Sequence, residues 1–363
     1  MVNLDDVRKA NSSLVQRQPL VAVFTGGTGG IGLSTLKTLA ATHSSSGRGL
    51  RVYITGRNQH ATEKIIADCL NICPQGDFRF IQVADLSLLR DVDRACEEII
   101  KEEKACVTAG TAPKLDLLFM SQGELSLKPY TTDAAEGLEF RVSLLYYSRM
   151  KTILNLLPLL LESTLPAHIV SVFAAGKEGE LHLDDLSMRD PKHQGVVGTR
   201  SHVTYMTTFF FEYLASKHPG KLSLVHVYPG LILTDGFKYM PFWFRVIWRA
   251  ALPVLGLFCT SLEECGQRVL YLADPDRFPA RSSRGTAAAG GNSTSDLKPA
   301  AAKGTDLEHG SGAYGVTLDG ETIPEQQIHQ SYDKYRTGDT GKTIVAHTLK
   351  AFDDIKAGKA FTG

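Results

Sequence analysis

Short apolar runs recur along the chain, separated by longer stretches in which apolar residues return every three or four positions. The runs are Leu20–Thr25, Arg51–Thr55, Arg79–Val83, Leu115–Met120, His168–Phe173 and Leu222–Tyr228, with Ala313–Leu318 as the last. Most are apolar or β-branched on both faces, as strands of a parallel sheet covered by helices on each side must be. The stretches between them predict helices over Ile31–Ala41, Ala61–Ile72, Leu88–Glu103, Ala134–Leu161, Thr204–Lys217 and Ser261–Ala273, and later over Glu325–Tyr335 and Lys342–Lys356. Strand–helix alternation implies right-handed crossovers and a doubly wound α/β fold.

Three stretches break the pattern. Residues 1–19 are polar, with acids and no apolar core of a signal peptide, and read as an N-terminal arm. Residues 280–312 are rich in Gly, Ala, Ser and Thr with almost no large apolar side chains. They read as a flexible surface insertion, because too little surface can be buried to offset ordering entropy. Residues 240–259 are the most lipid-like, but Arg245, Arg249 and Pro253 interrupt them, which argues against a spanning helix. A lid over an apolar pocket and a peripheral membrane contact both fit that segment. The chain has 363 residues, about 110 more than a typical single α/β domain of up to about 250. The arm, the insertion, the apolar segment and a long loop before Thr204 absorb that surplus, so residues 20–363 read as one domain.

Charge and cysteine content narrow the setting. Lys+Arg and Asp+Glu balance at 39 each, which gives no support for nucleic-acid binding. The six cysteines form no Cys-x-x-Cys pair and have no histidine cluster beside them. They read as buried thiols in a reducing, cytoplasmic setting, with no metal site.

The chemistry begins directly after the first strand. Thr25-Gly26-Gly27-Thr28-Gly29-Gly30-Ile31-Gly32 leads into a helix. Glycines allow backbone N–H groups to approach a pyrophosphate closely, and a helix N-terminus favours the anion. The second strand ends at Thr55-Gly56-Arg57, where an acid would hold a ribose 2′-hydroxyl; an arginine there favours the 2′-phosphate of NADP(H). Two glycine registers fit, and the one written Thr-Gly-x-x-x-Gly-x-Gly resembles the short-chain dehydrogenase/reductase family. Asp85-Leu86 resembles that family's adenine-contacting pair, with a helix cap as a second role for Asp85. Ser121-Gln122-Gly123 stands where the family has Asn-Ala-Gly, and Pro229-Gly230-Leu231-Ile232-Leu233-Thr234 matches its Pro-Gly-x-x-x-Thr. Tyr146–Met150 is similar to members of the fungal secondary-metabolism branch. The resemblance implies a Rossmann-type sheet with NADP(H) on Thr25, Gly26, Thr28, Gly30, Ile31, Gly32, Arg57, Asp85, Leu86, Gln122, Gly123, Pro229, Gly230 and Thr234.

The family's reacting groups are not matched. Its Ser falls on Phe173 or Ala174, its fourth-helix Asn on Ser143, and its Tyr-x-x-x-Lys on Arg200 and Thr204 or on Tyr205 and Phe209. The Tyr-x-x-x-Lys matches Tyr147…Lys151 and Tyr213…Lys217 read as a packed core residue and a surface pair. His182, His193 and His202 lie in or beside the long loop, and histidine titrates near neutrality. His202 and Tyr205, at the expected helix start, are the expected substitutes, with Ser143 in the Asn position. Phe209-Phe210-Phe211 and the face Val142, Leu145, Ile153, Leu156, Leu157 and Leu160 would suit either the core or a homodimer interface. The resemblance thus implies an NADP-dependent oxidoreductase interconverting a carbonyl and an alcohol on a hydrophobic small molecule in fungal secondary metabolism. A dehydratase, isomerase or cyclase on the same fold, or a silent NADP-binding protein, remains open, because function lives in the site and not in the fold.

Overall fold

The structure, a computed structural model, describes residues 1–107, 112–124, 130–230, 232, 260–282 and 300–363. Among these, the strands β1 (Leu20–Thr25), β2 (Leu50–Gly56), β3 (Asp77–Gln82), β4 (Leu117–Met120), β5 (Ala167–Val172), β6 (Leu222–Tyr228) and β7 (Ala313–Thr317) form one sheet in the order β3-β2-β1-β4-β5-β6-β7. Every pairing is parallel. The expected doubly wound sheet is therefore present, with the order reversing between β1 and β4.

Alternation along β1 shows how two cores are made. Val21 and Val23 join one apolar cluster, while Leu20, Ala22 and Phe24 join the other on the opposite face. The helices are α1 (Leu4–Arg17), α2 (Gly30–Ser46), α3 (Gln59–Ile72), α4 (Leu89–Ala105), α5 (Phe140–Val142), α6 (Ser148–Leu161), α7 (Val196–Lys217), α8 (Leu262–Tyr271), α9 (Glu325–Arg336) and α10 (Thr340–Lys356). In α4 the buried set Leu89, Val92, Ala95, Cys96 and Ile99 repeats at helical spacing and faces the sheet.

Several expectations change. The N-terminal residues are not a loose arm: α1 is capped by Asn3, which accepts from the Asp5 amide, and buries Val7, Leu14 and Val15. Asn11 donates to the Gln267 carbonyl of α8 at 3.0 Å, and Arg17 pairs with Asp276 at 2.5 Å. The insertion expected at 280–312 is packed at both ends. Ala302, Thr305 and Ser311 are buried, Arg281 pairs with Asp306, and Thr305 donates to Glu212 at 2.6 Å. Polar anchors do there what large apolar side chains do elsewhere; residues 283–299 lie outside the described residues.

Helix α7 starts at Val196, two turns before the expected Thr204. Phe209, Phe210 and Phe211 are core residues, and of the face expected at a dimer interface Val142, Ile153, Leu156 and Leu160 are buried within the chain while Leu145 and Leu157 are partly buried. Tyr146 and Tyr147, in a π-helical turn (Ser143–Tyr147) before α6, bond Thr348 and His347 of α10, each at 2.7 Å. Most of the apolar face named for a homodimer is thus used within the chain. Among the described residues no helix is long and apolar enough to cross a membrane; residues 240–259, read as lid or membrane contact, lie outside them.

Candidate functional site

A cleft of about 1010 Å³ opens at the C-terminal ends of the strands, where the sheet order reverses. This is the crevice in which doubly wound sheets bind ligands. Gly26, Thr28, Gly30 and Ile31 from the glycine turn line one wall, with Arg57, Asp85 and Leu86 from the ends of β2 and β3. Gln122 and Gly123 follow β4, and Pro229 and Gly230 follow β6. Of the expected cofactor contacts, Thr25 and Gly32 do not face the cleft, and Thr234 lies outside the described residues.

Thr25 and Gly32 instead shape the turn. The Thr25 hydroxyl donates to Gln122 Oε1 at 2.7 Å, fastening β1 to the second residue after β4. Gly26 has φ +83°, and a Cβ there would stand 2.6 Å from the Gln122 amide nitrogen. At Gly32 a Cβ would meet Ser121 Oγ at 2.3 Å and the Gly26 carbonyl at 2.5 Å. The turn can therefore close over the end of β4 only with glycine at both positions. Helix α2 then begins at Gly30 with Gly29 as its cap residue, no side-chain cap and no acid in its first turn. Its free N–H groups and dipole face the cleft, an arrangement suited to an anion.

Asp85 lines the cleft and accepts from Ser87 through both its amide and its hydroxyl, at 2.8 and 2.7 Å. It is not the cap of α4: that helix starts after Leu88, and Glu136 accepts from the Leu89 and Arg90 amides in its place.

The three residues expected to carry the chemistry are turned away from the cleft. The Tyr205 hydroxyl donates to the Ser331 carbonyl at 3.0 Å, and its ring packs edge-on against Tyr332 and Tyr335. His202 bonds the Leu186 carbonyl and the His182 amide, and burial pushes it down to about 4. It stacks with His182, which in turn stacks on His193 at 3.8 Å between ring centroids. The Ser143 hydroxyl donates to the Ser87 carbonyl at 2.5 Å. The cause is one of register. Because α7 starts at Val196, its cleft-facing residues are Val196, Thr199 and Arg200, at helical spacing. The π-helical turn sets Leu144 and Leu145 toward the cleft and Ser143 away from it.

Tyr147 and Lys151 also face elsewhere, toward His347 and Asp93. Lys217 donates to the Tyr213 hydroxyl on the surface, as expected.

Sequence reasoning passed over two groups that do face the cleft. Tyr228, the last residue of β6, lines it, with Lys177 Nζ 4.5 Å from the centre of its ring. Arg149 of α6 lines it from below and is almost wholly buried. Its guanidinium donates to Ser171 Oγ at 2.7 Å, the Val172 carbonyl at 3.0 Å and the Gln122 carbonyl at 2.6 Å. Burial pushes it down to about 9, so it remains a cation at neutral pH. Its neighbour His226 is pushed down to about 3 by burial and then by the Arg149 charge, and so is neutral. The Tyr-Tyr-Ser-Arg-Met run was the available signal for Arg149; Tyr228 was visible only as the residue before Pro229-Gly230.

A glycine turn feeding an uncapped helix at the switch point of a parallel sheet is the arrangement seen in dinucleotide-binding α/β folds. No protein-family model matches the chain. It is 39% identical over 359 residues to "Short-chain dehydrogenase/reductase SAT2" of Stachybotrys chartarum, covering 98% of each chain. It is 35% identical to "Oxidoreductase AN1596" of Emericella nidulans over 92% of this chain and 93% of that one. It is 33% identical to "Oxidoreductase andH" of Emericella variicolor over 98% of both. Levodione reductase shares the fold, with a TM-score of 0.51 and 17% identity over 71% of this chain and 91% of that one. The chain belongs to the short-chain dehydrogenase/reductase family, in a branch with these fungal oxidoreductases.

Proposed function

We propose that this protein is an NADP(H)-dependent oxidoreductase that interconverts a carbonyl and an alcohol on a hydrophobic small molecule, in fungal secondary metabolism. The observation that carries the cofactor choice is Arg57, which lines the cleft at the end of β2 where an acid would select NAD. The residues present fit the whole dinucleotide. The uncapped start of α2 suits its pyrophosphate, Asp85 and Leu86 its adenine, and Pro229-Gly230 its nicotinamide side. Bound there, the cofactor supplies or accepts a hydride. Phe140, Leu144, Leu145 and Phe173 give the remaining cleft wall its apolar character, which supports a hydrophobic substrate. The free cysteines Cys69, Cys73, Cys96, Cys106 and Cys265 support a reducing, cytoplasmic setting.

In this reading the proton comes from Tyr228, not from Tyr205. Its phenol stands on the cleft wall, and the Lys177 ammonium places a positive charge beside the phenolate it leaves. Tyr228→Phe should therefore slow turnover while leaving cofactor binding unchanged. Cofactor choice is tested by fluorescence titration with NADPH and NADH. Arg57→Ala should weaken NADPH by about ten- to a hundredfold, the loss of a charge-assisted hydrogen bond, and leave NADH unchanged. Equal losses for both would remove Arg57 from the phosphate role. Because the family's Ser and Tyr-x-x-x-Lys positions are not matched, a non-redox dehydratase, isomerase or cyclase is the second reading. Product formed without NADPH consumption would establish it.

A further inference from the structure

Charge is unevenly distributed around the cleft. Arg57, Arg141, Arg149 and Arg200 line it, against Asp85 and Glu124. Arg141 pairs with Glu139 and lies over the Tyr130 ring, Asp85 is held by Ser87, and Arg57 belongs to the adenosine end. Among the described residues, Arg149 and Arg200 are the cations left at the end formed by β5, α6 and α7.

Arg149 is the more unusual. Its three hydrogen bonds all go to neutral acceptors, its Nε has no partner, and no carboxylate pairs with it among the described residues. A buried charge without a counter-ion is costly, and proteins normally pair it. Arg200 reaches the cleft from α7, and its buried Nε is likewise without a partner among the described residues. Guanidinium groups present a planar fork that matches a carboxylate bidentately. Phe173, Leu144, Leu145 and Val196 line the same cleft, with the Arg149 guanidinium 5.6 Å from the centre of the Phe173 ring.

We infer that the substrate of this cleft carries a carboxylate on an otherwise apolar body, that Arg200 binds the carboxylate, and that Arg149 supplies the positive potential that holds it there. The inference rests on the cofactor occupying the glycine-turn side, and it narrows the substrate class of the same site. Arg200 grips and Arg149 does not, because the Arg149 Nη atoms are already committed to Ser171, Val172 and Gln122. Residues of α7 thereby select the substrate where the family has its proton donor.

The test uses the full chain, without and with NADPH, titrated by calorimetry with octanoate and with octanamide as isosteric probes. Octanoate should bind about tenfold or more tightly than octanamide, the worth of a charge-assisted over a neutral hydrogen bond. Arg200→Gln should abolish that preference, and Arg200→Lys should retain part of it. Thermal unfolding of both variants should match the parent, because among the described residues the side chain has no hydrogen-bond or ion-pair partner to lose. Equal affinity for the two probes, or a preference that survives Arg200→Gln, overturns the inference. So does a variant that loses NADPH and octanoate alike, since Arg200 would then serve the cofactor. NADPH binding without any octanoate preference rejects this inference and leaves the cofactor reading standing. An octanoate preference without NADPH binding does the reverse.

Discussion

The glycine turn offers a pair of substitutions that separate folding from cofactor binding. Gly32 and Gly29 lie three residues apart, yet the space around them differs. A Cβ on Gly32 would overlap Ser121 Oγ at 2.3 Å and the Gly26 carbonyl at 2.5 Å. The serine hydroxyl can rotate, at the expense of its contacts to the Thr25 and Gly26 carbonyls at 3.4 and 3.2 Å. The Gly26 carbonyl is backbone in a turn that itself touches β4, and it cannot yield without moving the turn. Overpacking of this kind costs about 1–3 kcal/mol, against a gain of about 1 kcal/mol in helix propensity for alanine. With the turn displaced as well, Gly32→Ala should destabilise by about 1–2 kcal/mol, lowering the melting temperature of a chain this long by about 1–3 °C. It should weaken the cofactor in parallel. At Gly29 the backbone is extended (φ −171°, ψ 168°), and a Cβ meets nothing within 4 Å. Gly29→Ala should therefore leave the melting temperature nearly unchanged. Its methyl group stands in the cleft at the start of α2, where a pyrophosphate must approach the backbone, so NADPH should bind about tenfold or more weakly. Thermal unfolding and fluorescence titration read the two effects separately. A Gly29→Ala protein that binds NADPH like the parent would refute the assignment of this wall to the pyrophosphate. A Gly32→Ala protein of parental stability would refute the packing argument.

Tyr205→Phe should leave turnover unchanged and lower stability by about 0.5–1.5 kcal/mol, the worth of its bond to the Ser331 carbonyl; a large fall in kcat would return Tyr205 to the chemistry. Burial holds His168, His202 and His347 down to about 4 and His226 to about 3. Their unfolded value is about 6.5, so the unfolded chain binds more protons below it. Stability should be fully present above about pH 6.5 and fall steadily as the pH drops toward 4. Urea titrations across that range check the slope, and a flat profile would mean these imidazoles charge freely in the folded protein.

The sheet was legible because a parallel strand buried on both faces leaves a continuous apolar run, and each of the seven expected runs became a strand. The glycine turn was legible for a similar reason, since few residues but glycine tolerate the approach to β4. The start of α7 was not. Its first turn, Val196-Val197-Gly198, combines β-branched residues and glycine, all weak helix formers, and Val196 and Val197 are exposed. Nothing local marks it as helix; tertiary packing decides it. That two-turn error moved the aligned positions to His202 and Tyr205, on the far side of the helix from the cleft. The π-helical turn at Ser143–Tyr147 has no sequence signature either, and it shifted the Asn position in the same way. Both shifts fall in the elements that bear the family's reacting groups, so the residues of the glycine-turn wall of the cleft were readable and those of the opposite wall were not.

Arg149 ties those two walls together. Its Nη2 donates to the carbonyl of Gln122, whose side chain accepts from Thr25 at the root of the glycine turn. Its Nη1 holds Ser171 and Val172 at the end of β5. Removing the side chain would leave two buried carbonyls and a hydroxyl without their donor, so the arginine is a structural strut irrespective of any ligand. A neutral donor would serve a strut at lower cost, because a buried cation must be desolvated. What the charge adds is a positive potential at the cleft that Arg149 lines. His226 cannot cancel it, since that imidazole is neutral and gives its Nε2 to the Ala174 amide. A strut that is also a cation, beside Phe173, Leu144 and Leu145 in the cleft lining, accords with the carboxylate proposed for the substrate.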